Sequence, residues 1–146
     1  MNNKPVLYVE DEANDVFFMQ HAWSKASMPN RLLVVTDGEQ AVQYLSGEGK
    51  YANRHEHPMP GLVLLDLKLP KLPGLDVLKW LRQQPATRVL PVMVLSSSNN
   101  PADVSAAYEL RANAYLVKPS QAEGLVGLIG SLKDFWLARV EAPAAE

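Results

Sequence analysis

The chain has 146 residues, of which 47% are apolar and 21% charged, and its formal net charge is −2. This length fits one globular domain and leaves no room for a second, and the near-neutral charge gives no signal for binding to nucleic acid or a membrane surface. The chain has no cysteine, which excludes disulfides, thiolate catalysis and cysteine-ligated metals.

The N-terminal segment MNNKPVLYVEDE meets acidic residues by position 10, unlike a signal peptide. No apolar run approaches the roughly 20 residues that a membrane helix needs. We therefore expect a cytoplasmic protein in which residues 1–146 form a single domain, with a core over about 4–140 and a flexible tail at 141–146.

Apolar periodicity predicts five strands that alternate with five helices. Short apolar runs predict strands at 5–9, 31–35, 62–65, 91–95 and 115–117. Apolar positions at helical spacing predict helices at 13–26, 40–45, 74–84, 101–111 and 121–140. Near-continuous apolar strands alternating with helices favour an α/β fold with a doubly wound parallel sheet covered on both faces.

Capping signals and one long loop refine this pattern. Asn14 or Asp15 is suited to cap the first helix, and Asn100 the fourth, with Pro101 at its first position. Residues 46–60 are polar and near the upper limit of ordinary loop length. They form either a functional excursion or an additional partly ordered turn.

Polar side chains follow four of the predicted strands, at the edge where ligands bind in open α/β sheets. These residues are Glu10 and Asp11 after the first strand, Asp66 after the third, Ser96 after the fourth and Lys118 after the fifth. Crowded carboxylates raise one another's pKa, and a hard cation such as Mg²⁺ relieves that conflict. A hydroxyl and an ammonium beside them suit a phosphate group. The set therefore predicts a site for a metal and a phosphoryl group, in which Asp66 is a possible nucleophile.

Each of these residues taken alone is more often an ordinary surface or turn residue. An acid at a strand end is usually solvated, and Glu12 is explained by the favourable effect of acids at a helix start. The ordered combination of acids, hydroxyl and lysine carries the specificity.

The segments VEDE, LLDLKLPKLPG, VMVLSSS and AYLVKP, in this order, make the sequence resemble the response-regulator receiver domains of two-component signalling. The resemblance covers roughly residues 4–140 and implies a flavodoxin-like sheet with strand order 2-1-3-4-5. It implies a phosphoacceptor signalling protein, which catalyses only its own phosphorylation and dephosphorylation.

The resemblance also assigns roles to individual residues. Asp66 matches the phosphoacceptor, Ser96 the switch hydroxyl, Tyr115 the aromatic switch residue and Lys118 the phosphate-binding lysine. The Mg²⁺ ligands would be Asp66, Asp11 directly, Glu10 through water, and the backbone carbonyl of Lys68. Pro119 falls where the family often has a cis peptide bond.

A narrower resemblance comes from GEGKYANRHEHPMP, the KLPKLPG loop and the DFWLARV ending. These segments resemble stand-alone regulators that serve bacterial phytochrome histidine kinases. A histidine kinase of that type is therefore the implied partner, and light sensing would belong to the kinase. His55 and His57 lie in the polar segment, where surface positions are the default and a metal or catalytic role is the minor alternative.

Phosphorylation would change the face made by helix four, strand five and helix five. Phe135 and Trp136 are adjacent on the last helix and cannot both point into the core. One of them could lie at a homodimer or partner interface, or both could fold back onto the domain.

Two other functions fit part of the pattern. One is a Mg²⁺-dependent phosphatase or hydrolase with an aspartyl nucleophile, but the position two past Asp66, where such enzymes usually carry an acid, is Lys68. The other is an unphosphorylated scaffold with a receiver fold. Loss of an acid or of Lys118 would favour the scaffold, yet all these residues are present. We expect no binding to nucleic acid or membrane.

Overall fold

The structure is a computed structural model, which describes residues 4–141 as a five-stranded sheet flanked by helices. The strands are β1 Val6–Val9, β2 Leu32–Val35, β3 Leu62–Leu65, β4 Val92–Ser96 and β5 Ala114–Val117. The α-helices are α1 Ala13–Lys25, α2 Gly38–Ser46, α3 Gly74–Gln83, α4 Pro101–Glu109 and α5 Ala122–Ser131. Every predicted strand and helix is present, with shifted ends. The predicted tail at 141–146 lies outside the described residues, apart from Glu141.

All strand pairs are parallel and the sheet order is β2-β1-β3-β4-β5, as predicted. In the register of β1 with β3, Val9 pairs with Leu65. In the register of β4 with β5, Ser96 pairs with Val117. The residues that follow these strands therefore leave the sheet at one edge, in neighbouring positions.

Each strand of the sheet contributes to two apolar layers, because successive side chains point to opposite faces. Leu7 and Val9 of β1 pack with side chains of α2, α3 and α4, whereas Val6 and Tyr8 pack with side chains of α1 and α5. The central strands β1, β3 and β4 are buried along their whole length. Burial on both faces explains why these strands read as continuous apolar runs.

The predicted cap of α1 is wrong, whereas that of α4 is confirmed. Helix α1 begins at Ala13, so Glu12 occupies the N-cap position, and it makes no side-chain capping bond. The backbone N–H of Glu12 is instead bound by Oε2 of Glu10 at 3.1 Å, which ties the helix start to the preceding acid. In α4 the side chain of Asn100 accepts from the N–H of Ala102 at 2.9 Å.

The last predicted helix is not one continuous α-helix. Helix α5 ends at Ser131 and continues as a π-helical segment, Leu132–Leu137. A π-helical turn holds more residues than an α-helical turn, and apolar spacing in the sequence does not reveal that change. Trp136 packs against the apolar layer of α1 and α5, whereas Phe135 is 65% exposed.

The segment 46–60 is partly ordered, which supports the second of the two alternatives for it. It contains a 3₁₀ turn, Gly49–Tyr51. The ring of Tyr51 lies 4.9 Å from that of Tyr44 and 5.3 Å from that of His57, and the hydroxyl of Tyr44 donates to the carbonyl of Pro58 at 2.9 Å. The loop is thus held to α2 by an aromatic cluster. Over residues 4–141, no helix has the length and apolar character needed to span a membrane.

Candidate functional site

The carboxyl edge of the sheet brings together the acids that the sequence places after β1 and β3. Ligand oxygens of Glu10, Asp11 and Asp66 lie within 4.8 Å of one another. Glu10 and Asp66 are buried and Asp11 is exposed. Carboxylate oxygens are the ligands that hard divalent cations prefer. These three residues therefore form an acidic site for a divalent metal.

Lys118, which directly follows β5, lies at the centre of this edge. Its ammonium contacts Oε1 of Glu10, lies 2.9 Å from Oδ2 of Asp15 and 3.3 Å from Oδ2 of Asp66, and its side chain is only 14% exposed. An ammonium has three N–H donors, so each donor has one carboxylate acceptor. Burial alone would lower the pKa of Lys118. The hydrogen bonds that Lys118 donates to Glu10 and Asp15 outweigh this effect, so its pKa is raised and the side chain is a cation.

Glu10 is the most enclosed acid of the site, with 0% exposure. Its Oε1 accepts from Lys118 and from the hydroxyl of Tyr8 at 3.3 Å, and its Oε2 accepts from the N–H of Glu12. Burial raises the pKa of Glu10, and the bonds from Lys118 and the Glu12 N–H oppose that rise. Both carboxylate oxygens of Glu10 therefore have protein partners in this structure.

Tyr8 lies on β1, two residues before Glu10. Its side chain belongs to the opposite apolar layer from its neighbours Leu7 and Val9. Burial and the nearby charge of Glu10 raise the pKa of its hydroxyl above the ordinary value, so it donates rather than ionises. Sequence reasoning took Tyr8 as an ordinary strand residue. Only its position two residues before Glu10, on the same side of β1, could have indicated this contact.

Ser96 and Tyr115 both contact Ser98 in the loop between β4 and α4. Oγ of the fully buried Ser96 accepts from the backbone N–H of Ser98 at 3.2 Å. The hydroxyl of the half-buried Tyr115 donates to the carbonyl of Ser98 at 2.8 Å. Oγ of Ser98 donates in turn to Asp103 of α4 at 2.7 Å. The two candidate switch residues thus hold both backbone groups of one loop residue.

The loop after Asp66 is held by close backbone contacts. The N–H of Lys68 lies 3.5 Å from Oδ1 of Asp66, and the N–H of Gly74 donates to the carbonyl of Leu67 at 2.9 Å. A Cβ atom on Gly74 would lie 2.2 Å from the carbonyl oxygen of Asp66, so only glycine fits at the start of α3. The side chain of Lys68 is exposed, and the observed contact of this residue with the site is through its backbone N–H.

The second half of the KLPKLPG segment packs on the start of α2. A hydrogen bond of 2.7 Å from Leu72 N–H to the carbonyl of Pro70 closes a γ-turn around Lys71, whose φ is +69°. The carbonyl of Pro70 also accepts from Gly38 N–H at 3.3 Å, and the ammonium of Lys71 lies 3.7 Å from the buried Asp37. The repeated Leu-Pro therefore joins the Asp66 loop to α2.

Asp15 is a second residue whose contact at the site the sequence analysis missed, because it was considered only as a helix cap. It is the third residue of α1, and α1 begins at the same edge of the sheet as Asp66 and Lys118. An acid one turn after Asp11 was the available signal. His55 and His57 lie away from this edge, in the segment packed on α2.

The peptide bond between Lys118 and Pro119 is trans, because residues 4–141 contain no cis peptide bond. This differs from the cis bond that the resemblance implies. With this trans bond, the ammonium of Lys118 contacts Glu10, Asp15 and Asp66.

Comparison with known proteins agrees with this geometry. The family model described as the response regulator receiver domain matches residues 6–129. The chain is 38% identical over 142 residues to the response regulator Rcp1 of Synechocystis, covering 97% of this chain and 95% of Rcp1. The Mn²⁺-bound crystal structure of Rcp1 matches with a TM-score of 0.86, covering 97% of this chain and 99% of that one.

Two further solved structures cover 97% of this chain and 99% of their own length. One is the phosphorylated cyanobacterial phytochrome response regulator RcpA, at 35% identity and a TM-score of 0.89. The other is the response regulator RPA3017 in red light signalling of R. palustris, at 37% identity and a TM-score of 0.89. Because the family model matches residues 6–129, most of its length, this chain belongs to the response regulator receiver domain family.

Proposed function

We propose that this chain is a single-domain response regulator that accepts a phosphoryl group from a histidine kinase on Asp66. One observation carries the proposal: the buried carboxylate of Asp66 shares an acidic cluster with Glu10 and Asp11 and lies 3.3 Å from the ammonium of Lys118. A nucleophilic carboxylate beside a cation site and a fixed ammonium suits phosphoryl transfer, which depends mainly on positioning and charge neutralisation.

In the proposed reaction a carboxylate oxygen of Asp66 forms a bond to phosphorus while the P–N bond of the kinase phosphohistidine breaks. The electron pair of that bond returns to the imidazole, which takes a proton from solvent. Lys118 would bind a phosphoryl oxygen in place of Oδ2 of Asp66. The chain itself acts as acceptor and is a signalling protein rather than an enzyme for a separate substrate.

The metal in this proposal is Mg²⁺. Asp11 and Asp66 would hold it directly, with Glu10 through water and the backbone carbonyl of Lys68 as a further ligand. Hard oxygen donors and the charge of three neighbouring acids fit this ion. When bound, it would neutralise charge on the acids and the phosphoryl oxygens.

The switch in this proposal passes through Ser98. If the hydroxyl of Ser96 turned to a phosphoryl oxygen, the N–H of Ser98 would lose its acceptor. Tyr115 holds the carbonyl of the same residue, so its ring would respond to a movement of the loop. A local change of charge would thereby alter the face formed by α4, β5 and α5.

The proposed partner is a phytochrome-type histidine kinase, and the proposed location is the cytoplasm. Support comes from the similarity to a cyanobacterial phytochrome response regulator and to a regulator of red light signalling, each over nearly its full length. No role with nucleic acid or membrane belongs to this proposal.

A homodimer is a further part of the proposal. Phe135 is 65% exposed in the π-helical segment Leu132–Leu137 and lines an apolar cavity of about 330 Å³ together with residues that include Leu116 and Trp136. Exposed aromatic residues are enriched at protein interfaces. Sedimentation with and without a phosphodonor tests this, and Phe135→Ser should shift the chain toward monomer. A wild type that stays monomeric under both conditions would refute it.

The central experiment is phosphorylation by a small phosphodonor with Mg²⁺, followed by intact mass. The wild type should gain one phosphoryl group, and Asp66→Asn should gain none. Asp76→Asn, which removes an exposed acid from the first turn of α3, is the matched control and should react like the wild type. A wild type left unmodified by both a small donor and a phosphorylated histidine kinase would contradict the proposal.

The kinase assignment needs a separate measurement. Phosphotransfer should be faster from a phytochrome histidine kinase than from an unrelated histidine kinase at equal concentration. Equal rates from both would remove the phytochrome link and leave the function of Asp66 intact.

A further inference from the structure

The ammonium of Lys118 has an acceptor that lies outside the acidic cluster of Glu10, Asp11 and Asp66. Oδ2 of Asp15 lies 2.9 Å from it, closer than Oδ2 of Asp66 at 3.3 Å. The Asp15 side chain is 38% exposed, so it can hold a charge without the cost of full burial. This carboxylate therefore competes with Asp66 for the same cation.

The start of α1 explains why Asp15 is available for this contact. In a capping box, a Glu or Gln at the third helical position reaches back to the backbone N–H of the N-cap residue. Here the N-cap residue is Glu12, and its N–H is already bound by Oε2 of Glu10. That N–H is therefore not available to Asp15, whose Oδ2 contacts Lys118.

The consequence concerns the position of the ammonium. Glu10 and Asp15 together hold it on the α1 side of the site, so that Asp66 receives the longest of its three contacts. Without Asp15, the ammonium would bind Asp66 more closely. Its charge would then make the carboxylate oxygens of Asp66 weaker nucleophiles.

We propose that Asp15 is a positioning residue for phosphorylation, which limits Lys118 to its long 3.3 Å contact with Asp66 until a phosphoryl oxygen replaces Oδ2 of Asp66 on the third donor. This inference rests on the proposed function of Asp66. A merely structural reading of Asp15, as a favourable charge at the start of a helix, predicts an effect on stability alone.

The test compares Asp15→Ala and Asp15→Asn by their phosphorylation rate with a small phosphodonor across Mg²⁺ concentrations. Both variants remove one charge, but Asn keeps an acceptor oxygen at the same reach. At saturating Mg²⁺ we expect Asp15→Ala to react about five- to tenfold more slowly, with Asp15→Asn between it and the wild type. The control is Glu12→Gln, which removes an exposed charge at the same helix end and should react like the wild type.

A second readout does not depend on phosphorylation. The ¹H–¹⁵N signal of the Lys118 ammonium should be visible in the wild type, because three acceptors and burial slow its exchange with water. It should broaden in Asp15→Ala and persist in Glu12→Gln. An unreactive wild type with this signal pattern would refute the function of Asp66 and leave the positioning intact.

Two outcomes would overturn the proposal. One is a wild-type rate for Asp15→Ala at saturating Mg²⁺ with an unchanged ammonium signal. The other is an equal loss in Asp15→Ala and Asp15→Asn that disappears at high Mg²⁺, since Asp15 would then act only through the charge felt by the metal.

Discussion

Gly74 packs directly against the backbone of Asp66: a Cβ atom at position 74 would lie 2.2 Å from the carbonyl oxygen of Asp66. The phosphoacceptor candidate therefore owes its position both to the strand before it and to a glycine eight residues later. This contact leads to the first prediction.

Gly74→Ala should displace Asp66 and slow phosphorylation, and it should lower the free energy of unfolding by about 1–3 kcal/mol through overpacking against backbone. Urea denaturation and the rate with a small phosphodonor measure the two effects. Gly127→Ala is the control, because its Cβ would meet nothing within 4 Å in the middle of α5. It should stabilise the protein by about 0.5–1 kcal/mol. Equal behaviour of the two variants would contradict the contact.

Lys118→Ala should make the protein depend on Mg²⁺ for stability. Removal of the ammonium leaves the carboxylates of Glu10 and Asp66 buried without their cation. Loss of one partner from a buried charge pair lowers the free energy of unfolding by on the order of 3 kcal/mol. Mg²⁺ would then offset more repulsion than in the wild type. We expect a larger Mg²⁺-induced rise in Tm for Lys118→Ala than for the wild type, measured by thermal unfolding.

The matched control for Lys118→Ala is Lys25→Ala, which removes an exposed charge from the end of α1. Its response to Mg²⁺ should equal that of the wild type. If Mg²⁺ raises the Tm of all three proteins equally, Lys118 does not neutralise the charges of Glu10 and Asp66.

Arg82 joins two loops at the opposite end of the sheet from the acids. Its guanidinium donates to the carbonyls of Leu90 and Arg111, each at 2.8 Å, and more weakly to those of Thr87 and Arg88. Arg82→Lys cannot reproduce this planar fork and should cost about 2 kcal/mol in urea denaturation, while phosphorylation continues. Lys79→Ala, on the same helix, is the control and should change the free energy of unfolding little. If Arg82→Lys changes it equally little, the hydrogen bonds of Arg82 do not contribute to stability.

Tyr44 makes the free energy of unfolding depend on pH in the alkaline range. Burial raises the pKa of its hydroxyl above the ordinary 10.0, and the charge of Arg54 opposes this only in part. The unfolded chain therefore releases the Tyr44 proton at lower pH than the folded chain. The stabilising contribution of Tyr44 is complete below about pH 10 and is lost as pH rises through the higher folded value.

Tyr44→Phe also removes the bond to the carbonyl of Pro58 and should cost about 1 kcal/mol at neutral pH. Denaturation at neutral pH and above pH 10 should show a smaller alkaline loss for Tyr44→Phe than for the wild type. Parallel curves for wild type and Tyr44→Phe would exclude Tyr44 as a source of the pH dependence.

The location of Asp66, Glu10 and Lys118 could be predicted because it follows from chain direction. In a parallel sheet every strand ends at the same edge, so residues that follow buried apolar runs must meet there. The order of the strands and the roles of the residues came from resemblance to a family, since apolar pattern alone does not order a sheet.

Contacts that depend on hydrogen-bond competition could not be predicted. Asp15 contacts Lys118, and the N–H of Glu12 at the start of the same helix is bound by Glu10. The γ-turn at Lys71 depends on Pro70 and on the space left by Gly38, where a Cβ would lie 1.9 Å from the carbonyl of Leu72. Neither the contact of Asp15 with Lys118 nor the close approach of Gly38 to Leu72 leaves a periodic trace in the sequence, because each joins distant segments.

The contact between Lys118 and Glu10 spans 108 positions of the chain. During synthesis from the N-terminus, the acids of β1 and β3 emerge long before the lysine that compensates them, and β5, which carries that lysine, is an edge strand made last. A nascent chain that ends before β5 therefore has the nucleophile but lacks its ammonium. On the proposed function, the site for the phosphoryl group would be complete only once β5 has joined the sheet, and a chain truncated before β5 would lack the lysine that binds that group.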